Sequence, residues 1–415
     1  MSEHAAPAMK PADDPAFTLP ASLAGLSVPL CAGGLVALLA GFAIGIFSVD
    51  SRFGLSAYLT AFMYCLSIAL GTLFFVLIQH LVRAGWSVVV RRVAELIMVM
   101  VVPLAILFLP ILFSLWGEGT LYSWDNSNYA EEHHIPAAIW DAKSSYLSPG
   151  FFTIRSLIYL TIWAGLAIYY YRKSNLQDET GEKTLTETMQ ARSGPAVILF
   201  CLATSFATFD WMMSLAPMWF STMFGVYFFA GCVLSAHCAI AAGTYLLQKN
   251  GAIRDEVTVE HYHDLGKYIF GFVFFWTYIT FSQFLLIWYA NIPEEQTWFF
   301  DRQSGTFGML ALVLIFFHWL IPMAGTMSIH VRRRPTLVFF WAVYVLIVHY
   351  IDLYFIIMPE AGRGAGGVMG VLASLLCVLG MTGMLAGLVL MVAGKTKVLA
   401  VRDPRLPQSL AFENI

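Results

Sequence analysis

Ten apolar runs of helical length recur along the chain, at about 27–47, 55–82, 93–115, 153–171, 195–215, 219–247, 265–290, 306–330, 336–357 and 367–393. Lipid offers a bare backbone no hydrogen-bond partner, whereas about 20 residues of helix cross the hydrocarbon with every backbone group satisfied. The pattern predicts an all-α integral membrane protein of ten transmembrane helices. Charged residues make up only 12% of the 415, about half the share of a soluble domain. The sixth run is long enough to hold an extramembrane turn or a strong tilt.

Lys and Arg positions give the orientation. With an even number of spans both termini share a side, and that side collects eighteen of the 23 basic residues. The other side holds Arg52, Lys143, Arg155, Arg302 and Arg363. Both termini are therefore expected on the cytoplasmic side. Residues 1–26 read as a disordered cytoplasmic tail without a signal peptide, 27–393 as the membrane domain, and 394–415 as a cytoplasmic C-terminal tail. The long periplasmic loop at 117–152 carries Tyr122, Trp124, Tyr129, Trp140 and Tyr146 with the acids Glu118, Asp125, Glu131, Glu132 and Asp141. It reads as a lid or docking surface, or as an aromatic belt with an ordered loop.

Six cysteines lie in apolar stretches with no CxxC or CxxCH, which removes covalent haem and Fe–S clusters from this chain. A net charge of −3 without a long basic run argues against nucleic acid as a partner.

Two carboxylates stand deep in apolar sequence, Asp210 and Asp352, each followed seven residues later by proline, Pro217 and Pro359. A charge in hydrocarbon costs roughly 3 kcal/mol on insertion scales, so such groups usually face a protein interior and bind or pass charge. Gln79 and Glu95 are spaced as Gln248 and Asp264 are, each acid preceding leucine. Helices two to five thus resemble six to nine, which predicts two parallel four-helix bundles with helices one and ten peripheral.

The polar groups fall at three depths. Glu95 and His80 lie near the inner face, His237 and His318 deeper, and Asp210, His349 and Asp352 in the outer half. His349 is three residues before Asp352 and shares its helix face, so the two are placed either to exchange a proton or to stitch helices together. Glu95 reads as a helix-dipole cap or as a proton entrance. His237 and His318 are relay groups or hydrogen-bonded core histidines. Arg155 opens helix four where Asp210 of the antiparallel fifth helix can approach it; a pair would keep Asp210 ionised and structural. The region of Arg155, Asp210 and His349 could also offer an apolar ligand its polar contact. Four histidines on four helices at mostly different depths disfavour a bis-histidine haem. Pro103, Pro110 and Pro322 are expected to distort helices three and eight.

The stretches FATFDWMMSLAPMWFSTMFGVYFFAG (206–231), DLGKYIFGFVFFWTYITFSQFLLIWYANIPEEQTWFF (264–300) and RAGWSVVVRRVAE (83–95) resemble the ActF membrane subunit of bacterial alternative complex III. That subunit is related to the NrfD and polysulfide-reductase membrane proteins. The resemblance covers helices two to nine. It implies a non-haem membrane subunit of a quinol:acceptor oxidoreductase, with proton transfer through its polar residues and quinone as a candidate ligand. It further implies an ActC-like paralogue, an Fe–S subunit and c-type cytochrome subunits as partners, holding the haem and Fe–S groups, with lipid around them. Asp210, the acid of FDW, is the first residue carried over. The chain departs from the family at Ala216 and Met218, where Asp and His are common. The alternatives are a secondary transporter with midplane charges or a purely structural scaffold.

Overall fold

A computed structural model describes residues 10–116, 120–126, 128–362 and 366–414; Glu118 and Arg363 lie outside them. The described residues are all-helical and contain ten helices long and apolar enough to span a membrane. These are α1 (Ser27–Val49), α2 (Ser51–Leu81), α3 (Val88–Ser114), α4 (Pro149–Thr180), α5 (Lys183–Leu215), α6 (Phe224–Lys249), α7 (Val259–Ala290), α8 (Gly305–Met327), α9 (Pro335–Ala361) and α10 (Gly367–Ala393).

Helices α2 and α6 form the centre and touch each other directly. A Cβ on Gly71 of α2 would stand 1.9 Å from the Cys232 carbonyl oxygen of α6, so only glycine permits this approach. Helix α2 packs on α3, α4 and α5, and α6 packs on α7 and α9, with α8 lying between α7 and α9. Helices α1 and α10 clasp through glycines one heptad apart on each partner. A Cβ on Gly34 would meet the Met384 nitrogen at 2.2 Å, and one on Gly380 the Leu38 nitrogen at 2.3 Å. Small residues let membrane helices approach where no hydrophobic drive exists between them.

Several boundaries differ from the sequence expectation, for local reasons. Helix α5 begins at Lys183, running through Pro195 rather than starting there. The sixth run divides, with residues 216–223 in turns and bends before α6. Helix α3 is three pieces, Val88–Met98, Val101–Leu107 and Leu109–Ser114, and Pro103 and Pro110 remove backbone donors within it. In α8 a π-helical turn spans Leu314–Leu320, just before Pro322. Pro322 cannot donate to the carbonyl of His318, and the wider turn answers that clash.

The described parts of both terminal segments, 10–26 and 394–414, pack on the helices. Val398 N donates to Phe17 O at 2.8 Å, Ile253 N to Ala16 O at 3.1 Å, and Lys10 reaches Asp255 at 2.7 Å. Phe17 and Val398–Val401 are buried, so residues 10–26 of the stretch expected to be a disordered tail pack onto the body. The face carrying both segments is called the terminal face below, and its opposite the distal face.

The loop after α3 caps the distal face. Tyr122 Oη donates to Trp211 O, Trp124 Nε1 to Ser214 Oγ, and Lys143 Nζ to Pro217 O at 2.8 Å. A second cap, the helix Pro293–Arg302, stacks Trp298 on Trp219 with ring centroids 4.4 Å apart.

Candidate functional site

Helices α4 and α5 bring Arg155 and Asp210 together at the distal end of the first helix set. Arg155 donates from Nε to Asp210 Oδ2 at 2.8 Å and from Nη2 to Oδ1 at 3.0 Å, and Tyr159 Oη adds a third donor at 2.9 Å. The guanidinium lies between the Tyr146 and Phe151 rings, 3.7 and 4.3 Å from their centroids. Such a bidentate, stacked pair leaves Asp210 with its charge compensated and its oxygens occupied. It is a fastener between the distal cap and two helices.

Asp352 stands at the corresponding place in α9 with a different surrounding. Tyr227 Oη of α6 donates to Oδ1, and Trp276 Nε1 of α7 donates to Oδ2 at 3.1 Å. His349 Nδ1 lies 3.8 Å from Oδ2. Among the described residues no Lys or Arg pairs with Asp352, which is 1% exposed. An ionised carboxylate here would face only neutral donors.

The hydrogen bonds also define the His349 tautomer. Ser67 Oγ donates its single proton to Tyr64 O at 2.7 Å and lies 2.9 Å from His349 Nε2. Nε2 must therefore carry the ring proton and donate it to Ser67, which leaves the Nδ1 lone pair turned towards Asp352. Gly231 of α6 makes room for this ring, since a Cβ there would stand 2.7 Å from His349 Cε1.

His318 comes from the π-turn of α8. Its ring centroid lies 3.9 Å from that of Trp276 and 6.2 Å from that of His349. It is fully buried, and neither ring nitrogen has a partner among the described residues. The wide turn and two unpartnered nitrogens coincide at one residue beside Asp352 and His349, a pairing often found at functional sites.

Arg302 lies just before α8, which is antiparallel to the helix bearing Asp352, much as Arg155 lies in the second turn of α4, which is antiparallel to the helix bearing Asp210. It bonds elsewhere. Its Nη1 donates to Trp298 O at 3.0 Å, and its Nη2 to Ile356 O at 2.6 Å and Glu360 Oε1 at 3.1 Å. Ile356 is one helical turn beyond Asp352, so this arginine stops about 6 Å along the axis from the acid. Burial lowers the Arg302 guanidinium to about 10 against the raising pull of Glu360, so it stays charged at neutral pH. Glu360 opens onto a distal cavity of about 810 Å³ whose lining includes Arg52, Glu132, His133, Glu294 and Asp301.

The remaining candidates lie apart. Glu95 sits eight residues into its helix, beyond the first turn, so the dipole-cap reading fails. It joins Arg91 at 3.0 Å and Arg92 at 3.2 Å in a buried network that also holds Asp178 and Asp403. His80 lies near that network, its ring 5.6 Å from Tyr170. His237 Nδ1 bonds to Val233 O at 2.7 Å, and its ring packs among Phe75, Tyr268 and Phe272. Asp352, His349 and His318 are brought together; Asp210 with Arg155, Glu95 with His80, and His237 form three separate places.

Sequence reasoning passed over Tyr227, Trp276 and Ser67. Each is an ordinary residue in an apolar run, and only their convergence from three helices singles them out. No group of three or more His, Cys, Asp or Glu suited to a metal occurs among the described residues. No protein-family model matches the chain, and no curated protein matches it.

Proposed function

We propose that the chain is a non-haem membrane subunit of a quinol:acceptor oxidoreductase of the alternative complex III type, and that Asp352 exchanges the proton that this subunit moves. The contrast between the two aspartates carries the reading. Asp210 is held by a bidentate arginine, whereas Asp352 faces neutral donors and the bare nitrogen of His349. A carboxyl without a fixed counter-charge can accept and release a proton without breaking an ion pair.

In this mechanism the proton passes between Asp352 Oδ2 and His349 Nδ1, with His318 as the next group towards the membrane centre. Tyr227 and Trp276 orient the carboxyl and stabilise its charged form. Release runs past Arg302 to Glu360 and the distal cavity. Haem and Fe–S groups belong to partner subunits, among them an ActC-like paralogue, an Fe–S protein and c-type cytochromes. Quinone, if this subunit touches it, needs a polar group other than the saturated Arg155–Asp210 pair.

The finer architecture follows the same proposal. The contacts of α2–α5 with one another and of α6–α9 with one another support two four-helix bundles joined at α2 and α6. The excess of Lys and Arg on the terminal face supports a cytoplasmic position for both termini in a bacterial inner membrane.

Purification from native membranes tests the assignment. Co-isolation of haem and Fe–S proteins with quinol-oxidising activity supports it. An isolated chain that transports a solute unaided sinks it.

A further inference from the structure

A second cavity, of about 680 Å³, opens on the terminal face where three distant segments meet. Arg83 comes from the α2–α3 turn, Lys183 from the first residue of α5, and Arg405 from the C-terminal segment. Glu187 is the one acid in the lining, and among the described residues no carboxylate forms an ion pair with any of the three cations. Bringing like charges together costs free energy unless an anion joins them. Burial and the nearby Arg91 and Arg83 depress the Arg405 guanidinium although Asp403 pulls it the other way.

The pocket is built rather than incidental. Arg83 has φ of 54°, a left-handed conformation at the end of α2 that ordinarily takes glycine. Arg405 follows Asp403, which Arg91 fixes at 2.6 Å. The N-terminus of α5 has no side-chain cap and adds its partial positive charge to the same rim. Below the cations the wall turns apolar. Leu81 lines the cavity, and Val82, Ile198, Leu199 and Leu202 are exposed on α2 and α5.

We propose that this pocket binds the phosphate headgroup of an anionic phospholipid, with Arg83, Lys183 and Arg405 on the phosphate and the acyl chains along the exposed face of α5. A phosphate supplies the charge the three cations lack, and a lipid also covers the apolar wall that a free ion would leave bare. The site is independent of the proton chemistry at Asp352.

The experiment uses the full-length protein in detergent and native mass spectrometry, with phosphatidylglycerol, phosphatidylcholine and inorganic phosphate as probes. The wild type should retain phosphatidylglycerol in preference to phosphatidylcholine. The triple variant R83Q/K183Q/R405Q should lose that retention by on the order of 100-fold, as expected for three cations at a lipid surface. A control variant, K249Q/R254Q/K395Q, removes the same charge from the same face outside the pocket and should retain lipid as the wild type does. K183Q alone, at an exposed position, gives a partial loss even if the triple variant is poorly folded. Equal loss in the control, or equal retention of both lipids, overturns the proposal. Release of the bound lipid by inorganic phosphate alone assigns the cations to a free phosphate and overturns the lipid assignment.

Discussion

Arg155 grips Asp210 through two nitrogens at 2.8 and 3.0 Å, whereas Arg302, its positional counterpart, bonds the backbone of Ile356 one turn beyond Asp352. One displaced arginine leaves Asp210 with a fixed counter-charge and Asp352 without one, the difference on which the proposed exchange role rests.

Asp210→Asn should destabilise the protein. The substitution leaves the Arg155 guanidinium buried without its counter-charge, which costs about 3–5 kcal/mol when one partner of a buried pair is removed. Thermal unfolding of the purified variant should fall well below wild type, and Arg155→Lys should not restore the bidentate geometry. A melting temperature within error of wild type would refute the fastener role.

Asp352→Asn should leave the fold intact, since asparagine keeps a carbonyl oxygen for one of the two neutral donors and no charge is stranded. Proton yield per electron in the reconstituted complex should drop while melting stays within about 1 kcal/mol of wild type, the scale of one net hydrogen bond. Infrared difference spectra should lose a carboxyl band that Asp210→Asn retains. Persistence of every carboxyl band would show that Asp352 does not change protonation.

The C-terminal segment should loosen in acid. Burial alone would raise the Asp403 carboxyl, but Arg91, the Arg405 amide and the Arg91 hydrogen bond outweigh it and hold the group below its ordinary value. A carboxyl depressed in the folded state adds stability that is complete above its unfolded value, about 3.9, and is lost as pH falls through the lower folded value. Protease cleavage near 398–410 should therefore rise only below about pH 4, and Asp403→Asn should make cleavage high at neutral pH too. Protection independent of both changes would contradict the anchoring of this segment by the Asp403–Arg91 pair.

Gly380→Val should detach α1 from α10. A Cβ at this position already meets Leu38 N at 2.3 Å, and overpacking of this kind costs about 1–3 kcal/mol. A bifunctional thiol reagent across cysteines engineered at positions 30 and 383, where a Cβ on Gly383 fits 3.7 Å from the Leu30 carbonyl oxygen, should then lose its cross-linking, while the α2–α6 contact persists.

The spans were legible because length and apolarity decide them, and a break such as Pro322 announces its own distortion. The repeat spacing pointed to Asp210 and Asp352 as equivalent, and the helix period placed His349 beside Asp352. The Arg155–Asp210 pair was legible as one of two outcomes, because antiparallel helices bring the two residues to one level; that Arg302 stops short of Asp352 was not. Whether Arg155 or Arg302 reaches a carboxylate depends on the rise of a cap and the fold of one turn, which spacing along the chain does not encode. Tyr227, Trp276 and Ser67 escaped notice because one hydroxyl or indole in an apolar run signals nothing until three helices aim them at one point. Glu95 misled because the helix begins at Val88, earlier than the apolar run suggests.

The clasp between α1 and α10 joins two helices more than 300 residues apart in the chain. During synthesis α1 is made long before its glycine-faced partner, and its seam stays open until α10 follows. Closure of the molecule is therefore a late event.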